Sequence, residues 1–319
     1  SGPTKNYNIV PSNIERKVSD KINGNPFRFG EGKTIDINLQ NSGKWFEHSD
    51  GRVWKINIKS SNALSINLVF SRLFLAEGSE LYIYNQDQTM IFGPVQPEHI
   101  NKEKMFLSDV LRGDQITLEL FEPIKSIGQS ILNISKVVHG TKDIFTPLSL
   151  GQSYSCHEDV KCNSSFDAVS NGVALILLSN GTEWCSGSLL NNVCQDFTPY
   201  ILSAFHCIDI GNSVNNINVC DDEYANRILT SQEIANSENW SFRFQYKRPS
   251  CGSGSPVSYY TFSGATYRAS WSDTDFALME MDNQPQTYTG IQYLGWNRNN
   301  NITAKGFVGH PHGDAMKVT

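Results

Sequence analysis

The chain has 319 residues, a formal net charge of -6, 39% hydrophobic residues and 18% charged residues. That length holds two domains with sizeable cores, and the acidic balance argues against nucleic acid, since phosphate binding needs a basic face. No apolar run approaches the ~20 residues of a membrane span, so no such span is expected.

Residues 1–26 form an N-terminal segment. Ser1-Gly2-Pro3 reads as a tag-cleavage scar, and any signal peptide is taken to have been removed. A short helix is predicted over Ser12 to Ser19, with Ser12 as its cap. From 27 to 140 short runs alternate apolar and polar residues. Thr34-Ile35-Asp36-Ile37-Asn38-Leu39 and Val53-Trp54-Lys55-Ile56-Asn57-Ile58 come first; Ala63 to Phe70, Glu80 to Tyr84 and Gln115 to Phe121 continue the pattern. Period two marks half-buried strands, and Asp50-Gly51, Glu77-Gly78 and Arg112-Gly113-Asp114 mark turns between them. The expectation is an antiparallel β-sandwich of about eight strands. His48 and His99 have no nucleophile motif nearby and read as surface histidines.

Periodicity is lost over 141–152, and the linker is placed there. The second domain, 153–319, again reads as β. Gly172 to Leu178 is a nearly continuous apolar strand, Asn180-Gly181 a hairpin turn, and Tyr200-Ile201-Leu202 a strand leading to His206. All seven cysteines (Cys156, Cys162, Cys185, Cys194, Cys207, Cys220 and Cys251) fall here, and residues 1–155 hold none. No Cys-x-x-Cys pair occurs, so the cluster reads as a disulfide framework in an oxidising compartment rather than a zinc site. Seven is odd, which leaves one cysteine without a partner in the chain.

Ser203-Ala204-Phe205-His206-Cys207 closes a strand with a histidine. Downstream, Asp275 opens the apolar run Phe276-Ala277-Leu278. Histidine before aspartate is the chain order of a triad whose serine comes last. These segments, with Trp184-Cys185-Ser186-Gly187-Ser188-Leu189-Leu190-Asn191-Asn192, resemble the lysyl endopeptidase-like branch of the bacterial trypsin-like serine proteases. Tyr293-Leu294-Gly295-Trp296-Asn297-Arg298 and Gly309-His310-Pro311-His312-Gly313-Asp314 are similar to two further segments of that family. The resemblance runs from about Cys156 to the end, and residues 27–140 more loosely resemble the family's N-terminal β-rich region. It implies an all-β chain: a prodomain-like sandwich followed by a partial trypsin-like double β-barrel.

The chemistry requires an imidazole to take the serine proton and return it to the leaving amine. A buried carboxylate on the other ring nitrogen fixes the tautomer. His206 is the expected base and Asp275 the expected carboxylate. Asp273 is the competitor, on the same face of a regular strand. Cys185 and Cys207 are expected to pair and steady His206. The resemblance implies Cys162 with Cys251, which leaves Cys194 with Cys220 and Cys156 unpaired here. Ser253 and Ser255 precede Asp275, the wrong order for a nucleophile. Ser186 and Ser188 read as strand or turn residues, and Cys207 as facing away from its neighbour His206. The alternation of His310, His312 and Asp314 is compatible with a metal site on a strand, but Pro311, Gly313 and the resemblance favour a loop. No metal and no cofactor are expected.

No serine lies between Asp275 and Thr319. Together with the odd cysteine and the 169 residues of 151–319, where roughly 200–250 residues are usual, this suggests an incomplete C-terminus. The expected protein is a secreted (extracellular or periplasmic) serine endopeptidase precursor, lysine-specific by resemblance, acting on protein or peptide substrates. Its serine lies outside this chain, and the missing segment is joined through Cys156. Lys142 is the candidate processing site. The alternative is an inactive protease-like binding protein whose sandwich recognises a partner or glycan. Asn163 and Asn239 open glycosylation triplets of a kind common by chance.

Overall fold

The computed structural model describes residues 4–6, 27–101, 104–145, 153, 156–209, 228–256, 258–299, 301 and 303–319. The helix expected over Ser12 to Ser19 and most of the expected linker lie outside these residues. Strands hold 45% of the residues and helices 13%, so the chain is all-β.

Two compact units divide between Asp143 and Ile144, a point inside the expected linker. The first comprises Phe29–Asp143, the Thr4–Asn6 strand and the turn Ser179–Thr182. The second comprises Ile144–Leu178, Glu183–Thr319 and the Phe27–Arg28 strand. The exchanged pieces depart from the expected 27–140 boundary. Phe27–Arg28 pairs with the Glu183–Leu190 strand in the second unit's sheet, and a two-residue strand leaves no periodic signal.

The first unit is a sandwich. One sheet orders Thr4–Asn6, Gly51–Lys59, Gln115–Pro123, Glu80–Asn85 and Ile91–Val95, with Lys44–His48 beside Gly51–Lys59. The other orders Leu111–Arg112, Ser65–Phe74, Ile131–Gly140 and Gly30–Asn38, with Phe106–Leu107 beside Ser65–Phe74. Eight of these strands have five residues or more, which fits the expected number. The sandwich is not wholly antiparallel, because Thr4–Asn6 pairs parallel with Gly51–Lys59.

Alternation decides the core. Trp54, Ile56 and Ile58 from one sheet meet Ile66, Leu68 and Phe70 from the other in one fully buried cluster. Trp54 satisfies its indole N–H by donating to the Ser42 carbonyl at 2.9 Å, as a buried indole requires. Lys55, on the other face, pairs with Glu119. Glu122 is fully buried. Burial raises its carboxyl, but donors from Gly128, Arg52 and Ser130 outweigh this and hold it below the ordinary carboxylate value.

The second unit is built on an eight-stranded sheet. The order is Tyr260–Ser263, Ser241–Phe244, Val173–Leu177, Glu183–Leu190, Tyr200–Ala204, Phe276–Met281 and Ala265–Trp271, with Phe27–Arg28 beside Glu183–Leu190. The strands at the two ends of this order are separated in the chain by Gly264 alone. The sheet must therefore curl until its edges meet at that corner. Gly264 turns it with φ +88, a conformation open chiefly to glycine. Inside the curl pack Ile176, Leu189, Ile201, Phe242, Phe244, Ala277 and Met279.

The expected hairpin is present: Leu177 pairs with Trp184, and Gly181 takes φ +74. One helix, Ser231–Ser237, is capped by Thr230 and Glu233 in a reciprocal box that the sequence reading passed over. A small sheet joins Glu158–Asp159, Lys317–Val318 and Val308–Gly309. It packs Val160, Met316 and Val318 against Val173. No helix among the described residues is long and apolar enough to cross a membrane.

Candidate active site

Antiparallel pairing brings the two candidate residues together. The Tyr200–Ala204 strand runs beside Phe276–Met281, with Ala204 opposite Phe276. His206 lies just past the end of the first strand and Asp275 just before the second. His206 sits on the short 3₁₀ turn Phe205–Cys207. Asp275 ends a second such turn, Ser272–Thr274, in left-handed conformation at φ 51, ψ 32. Aspartate tolerates that region better than most side chains.

Asp275 holds its neighbour at three points. Its main-chain carbonyl accepts the Phe205 N–H at 3.0 Å. Its Oδ1 accepts the His206 N–H at 3.0 Å. Its Oδ2 lies 2.8 Å from His206 Nδ1. The carboxylate thus fixes both the backbone and the ring of His206. With Nδ1 engaged, Nε2 is the nitrogen left to exchange a proton with a substrate or nucleophile.

Three features differ from the sequence reading. Asp275 is not buried: its side chain is 53% exposed, and that of His206 38%. Asp273 lies on the Ser272–Thr274 turn, not on a regular strand, and Asp275 is the carboxylate found on the histidine. Cys207 shares the 3₁₀ turn with His206, so the strand rule of opposite faces does not apply to the pair. Cys207 is instead removed as a nucleophile by its bond to Cys185.

That bridge, Cys185–Cys207, ties the turn to the Glu183–Leu190 strand, and Cys162–Cys251 closes a longer loop. Cys185, His206 and Cys207 approach within 4.8 Å of one another, but both sulfurs are spent in the disulfide and offer no thiolate to a metal. Cys156 and Cys194 are exposed and free among the described residues. Cys220, the expected partner of Cys194, lies outside them.

The serines considered in the sequence go elsewhere. Ser253 Oγ meets Ser250 Oγ at 2.7 Å, and Ser255 Oγ donates to the Phe145 carbonyl at 3.5 Å. Ser186 and Ser188 lie in the Glu183–Leu190 strand. Ser186 Oγ accepts the His310 N–H at 2.9 Å, and its carbonyl accepts Ser203 Oγ–H at 2.9 Å.

His310, His312 and Asp314 flank and occupy a turn, Pro311–Gly313, and do not alternate along a strand. Buried His310 meets the Asp314 carbonyl through Nδ1 at 2.9 Å, and burial pushes its pKa down to about 4. The His312 ring lies 5.6 Å from that of Phe27. The Asp314 carboxylate accepts Ser153 Oγ–H at 2.8 Å and pairs with Lys317 at 3.6 Å.

Asp159, Arg248 and Lys317 complete a buried ionic group that the sequence reading missed. Asp159 lies 3.1 Å from Arg248 and 3.8 Å from Lys317. Such partners, far apart in the chain, share no spacing that a sequence motif records. Lys142 is half-buried, and its N–H donates to the Phe29 carbonyl at 3.1 Å.

Residues 150–319, which hold this histidine–aspartate pair, match the family model of the lysyl endopeptidase C-terminal domain. The chain belongs to the lysyl endopeptidase family. In this lysyl endopeptidase relative the match begins next to the division between the two units, and the sandwich lies almost wholly before it. Family membership makes it a protease-related protein, and its two disulfides are compatible with an oxidising, extracellular setting.

Proposed function

We propose that the second unit carries the general base of a secreted serine endopeptidase, specific for lysine as its family name states. The observation that carries this reading is the 2.8 Å contact between His206 Nδ1 and Asp275 Oδ2, within a family of endopeptidases. In this role His206 Nε2 takes the proton from a serine hydroxyl as its oxygen attacks the scissile carbonyl. The same nitrogen then returns that proton to the departing amine. Asp275 keeps the ring in the required tautomer and stabilises the imidazolium.

The curled sheet is read as the first of two trypsin-like barrels, and the small Val308–Val318 sheet as part of the second. None of Ser186, Ser188, Ser253 and Ser255 is in hydrogen-bond contact with His206, and the serine of this reading is left without an assignment. The sandwich is read as a prodomain released at Lys142. N-terminal sequences of matured protein that begin outside 141–152 would count against this.

The decisive assay is hydrolysis of a lysyl ester. The full gene product should turn it over and lose about 10⁴-fold or more with His206→Ala. A full gene product as inactive as the variant would favour the binding-protein alternative.

A further inference from the structure

His139 is the one histidine of the first unit that is buried, 3% exposed; His48 is exposed and His99 half-buried. It lies near the end of the Ile131–Gly140 strand in one sheet. Its Nδ1 meets Ser60 Oγ at 2.8 Å. Ser60, itself fully buried, follows the Gly51–Lys59 strand of the other sheet, and its N–H donates to the Asp114 carbonyl at 2.8 Å. The bond thus links the two layers of the sandwich at one corner.

We propose that the Ser60–His139 hydrogen bond is an acid-sensitive latch between the two sheets, closed around a neutral imidazole and loosened when that imidazole is protonated. Burial disfavours the charged ring and lowers its pKa, against the opposing pull of Glu31. Glu31 stands opposite His139 on the Gly30–Asn38 strand. The residue opposite on the Ser65–Phe74 strand is Ile66, which is uncharged. Lys59 and Asp114, beside Ser60, pair with each other at 3.9 Å. Arg112 stands opposite Ser65 and, like Lys59, adds no negative charge to favour an imidazolium.

The sign follows from linkage. The unfolded ring titrates near 6.5 and the folded ring below that. Between the two values the unfolded state binds more protons, and stability falls as pH falls. Above about 6.5 the latch contributes fully. This device is independent of the hydrolytic reading of the second unit.

Hydrogen exchange of the intact chain, followed by mass spectrometry between pH 7.5 and 5 and corrected for intrinsic rates, tests it. Peptides covering Ile131–Gly140 should lose protection below pH 6.5, by up to about tenfold per pH unit. The same peptides in His139→Gln should show no such slope. An equal slope in the variant, or none in the wild type, overturns the proposal. If His139→Gln does not fold, nuclear magnetic resonance titration of the wild-type ring decides. A titration below 6.5 supports the latch, and one at or above 6.5 overturns it.

Discussion

Asp275 does its work through three hydrogen bonds of different kinds, and only one of them involves the imidazole ring. Asp275→Asn keeps the shape of the side chain but turns a wholly accepting group into one with two donors. In a preparation of the parent protein that turns over an ester, we predict a fall in kcat of about 10⁴-fold from the wrong tautomer. Asp273→Asn should lower kcat far less, because the carboxylate at Nδ1 of the ring is that of Asp275. Steady-state kinetics of the two variants distinguishes them. The sequence located His206 and favoured Asp275 because each abuts an apolar strand, a local signal. It did not reveal the exposure of Asp275 or its left-handed backbone. Those depend on which segments pack around the turn and on its closing bond from Asp275 N–H to Ser272.

Gly30–Asn38, Gly51–Lys59, Ser65–Phe74, Glu80–Asn85 and Gln115–Pro123 were legible as elements because period-two patterning runs through them, whereas Lys44–His48, Ile91–Val95, Ile131–Gly140 and Ala265–Trp271 were not read as strands. Phe27–Arg28, Phe106–Leu107 and Thr4–Asn6 are too short to show a period, and only pairing partners distant in the chain define them. The two bridges differ in the loop they close. Cys185 and Cys207 are 22 residues apart, Cys162 and Cys251 are 89. The chain-entropy model gives about 3 kcal/mol for the first and roughly 4–5 kcal/mol for the second. Replacing each pair by alanines should therefore lower denaturation midpoints in that order. In a preparation that turns over an ester, the smaller loss should nonetheless carry the larger loss of activity, since that bridge holds Cys207, next to His206. The corner at Gly264 allows a separate check. Gly264→Ala should destabilise the second unit by about 1 kcal/mol or more, because its φ is unsuited to a Cβ.

Across the whole molecule, the change in cysteine use and the loss of alternation near residue 141 were the signals behind the two-domain reading, and the two compact units divide between Asp143 and Ile144. The exchange of the Phe27–Arg28 strand and the Ser179–Thr182 turn was illegible, since composition averages over longer windows than these pieces occupy. Both units contain a buried histidine, and both histidines have lowered pKa values. For His310 the fall from 6.5 to about 4 makes the neutral ring the folded form. Stability of the second unit is then full above about 6.5 and declines as pH falls toward 4, by at most about 3 kcal/mol. Thermal scans of the wild type and His310→Asn across that range should show the wild type losing more on acidification. Parallel slopes would remove His310 from the account.

The Cys185–Cys207 bridge also introduces time into the chemistry. A newly made chain in reducing surroundings lacks the covalent tie between the His206 turn and the Glu183–Leu190 strand. Oxidation adds that constraint to the hydrogen bonds from Asp275, and only in a compartment that forms disulfides. In the secreted endopeptidase proposed above, export would then act as a clock as well as an address: the geometry for cleaving other proteins would be completed after the chain has left those it must not cleave.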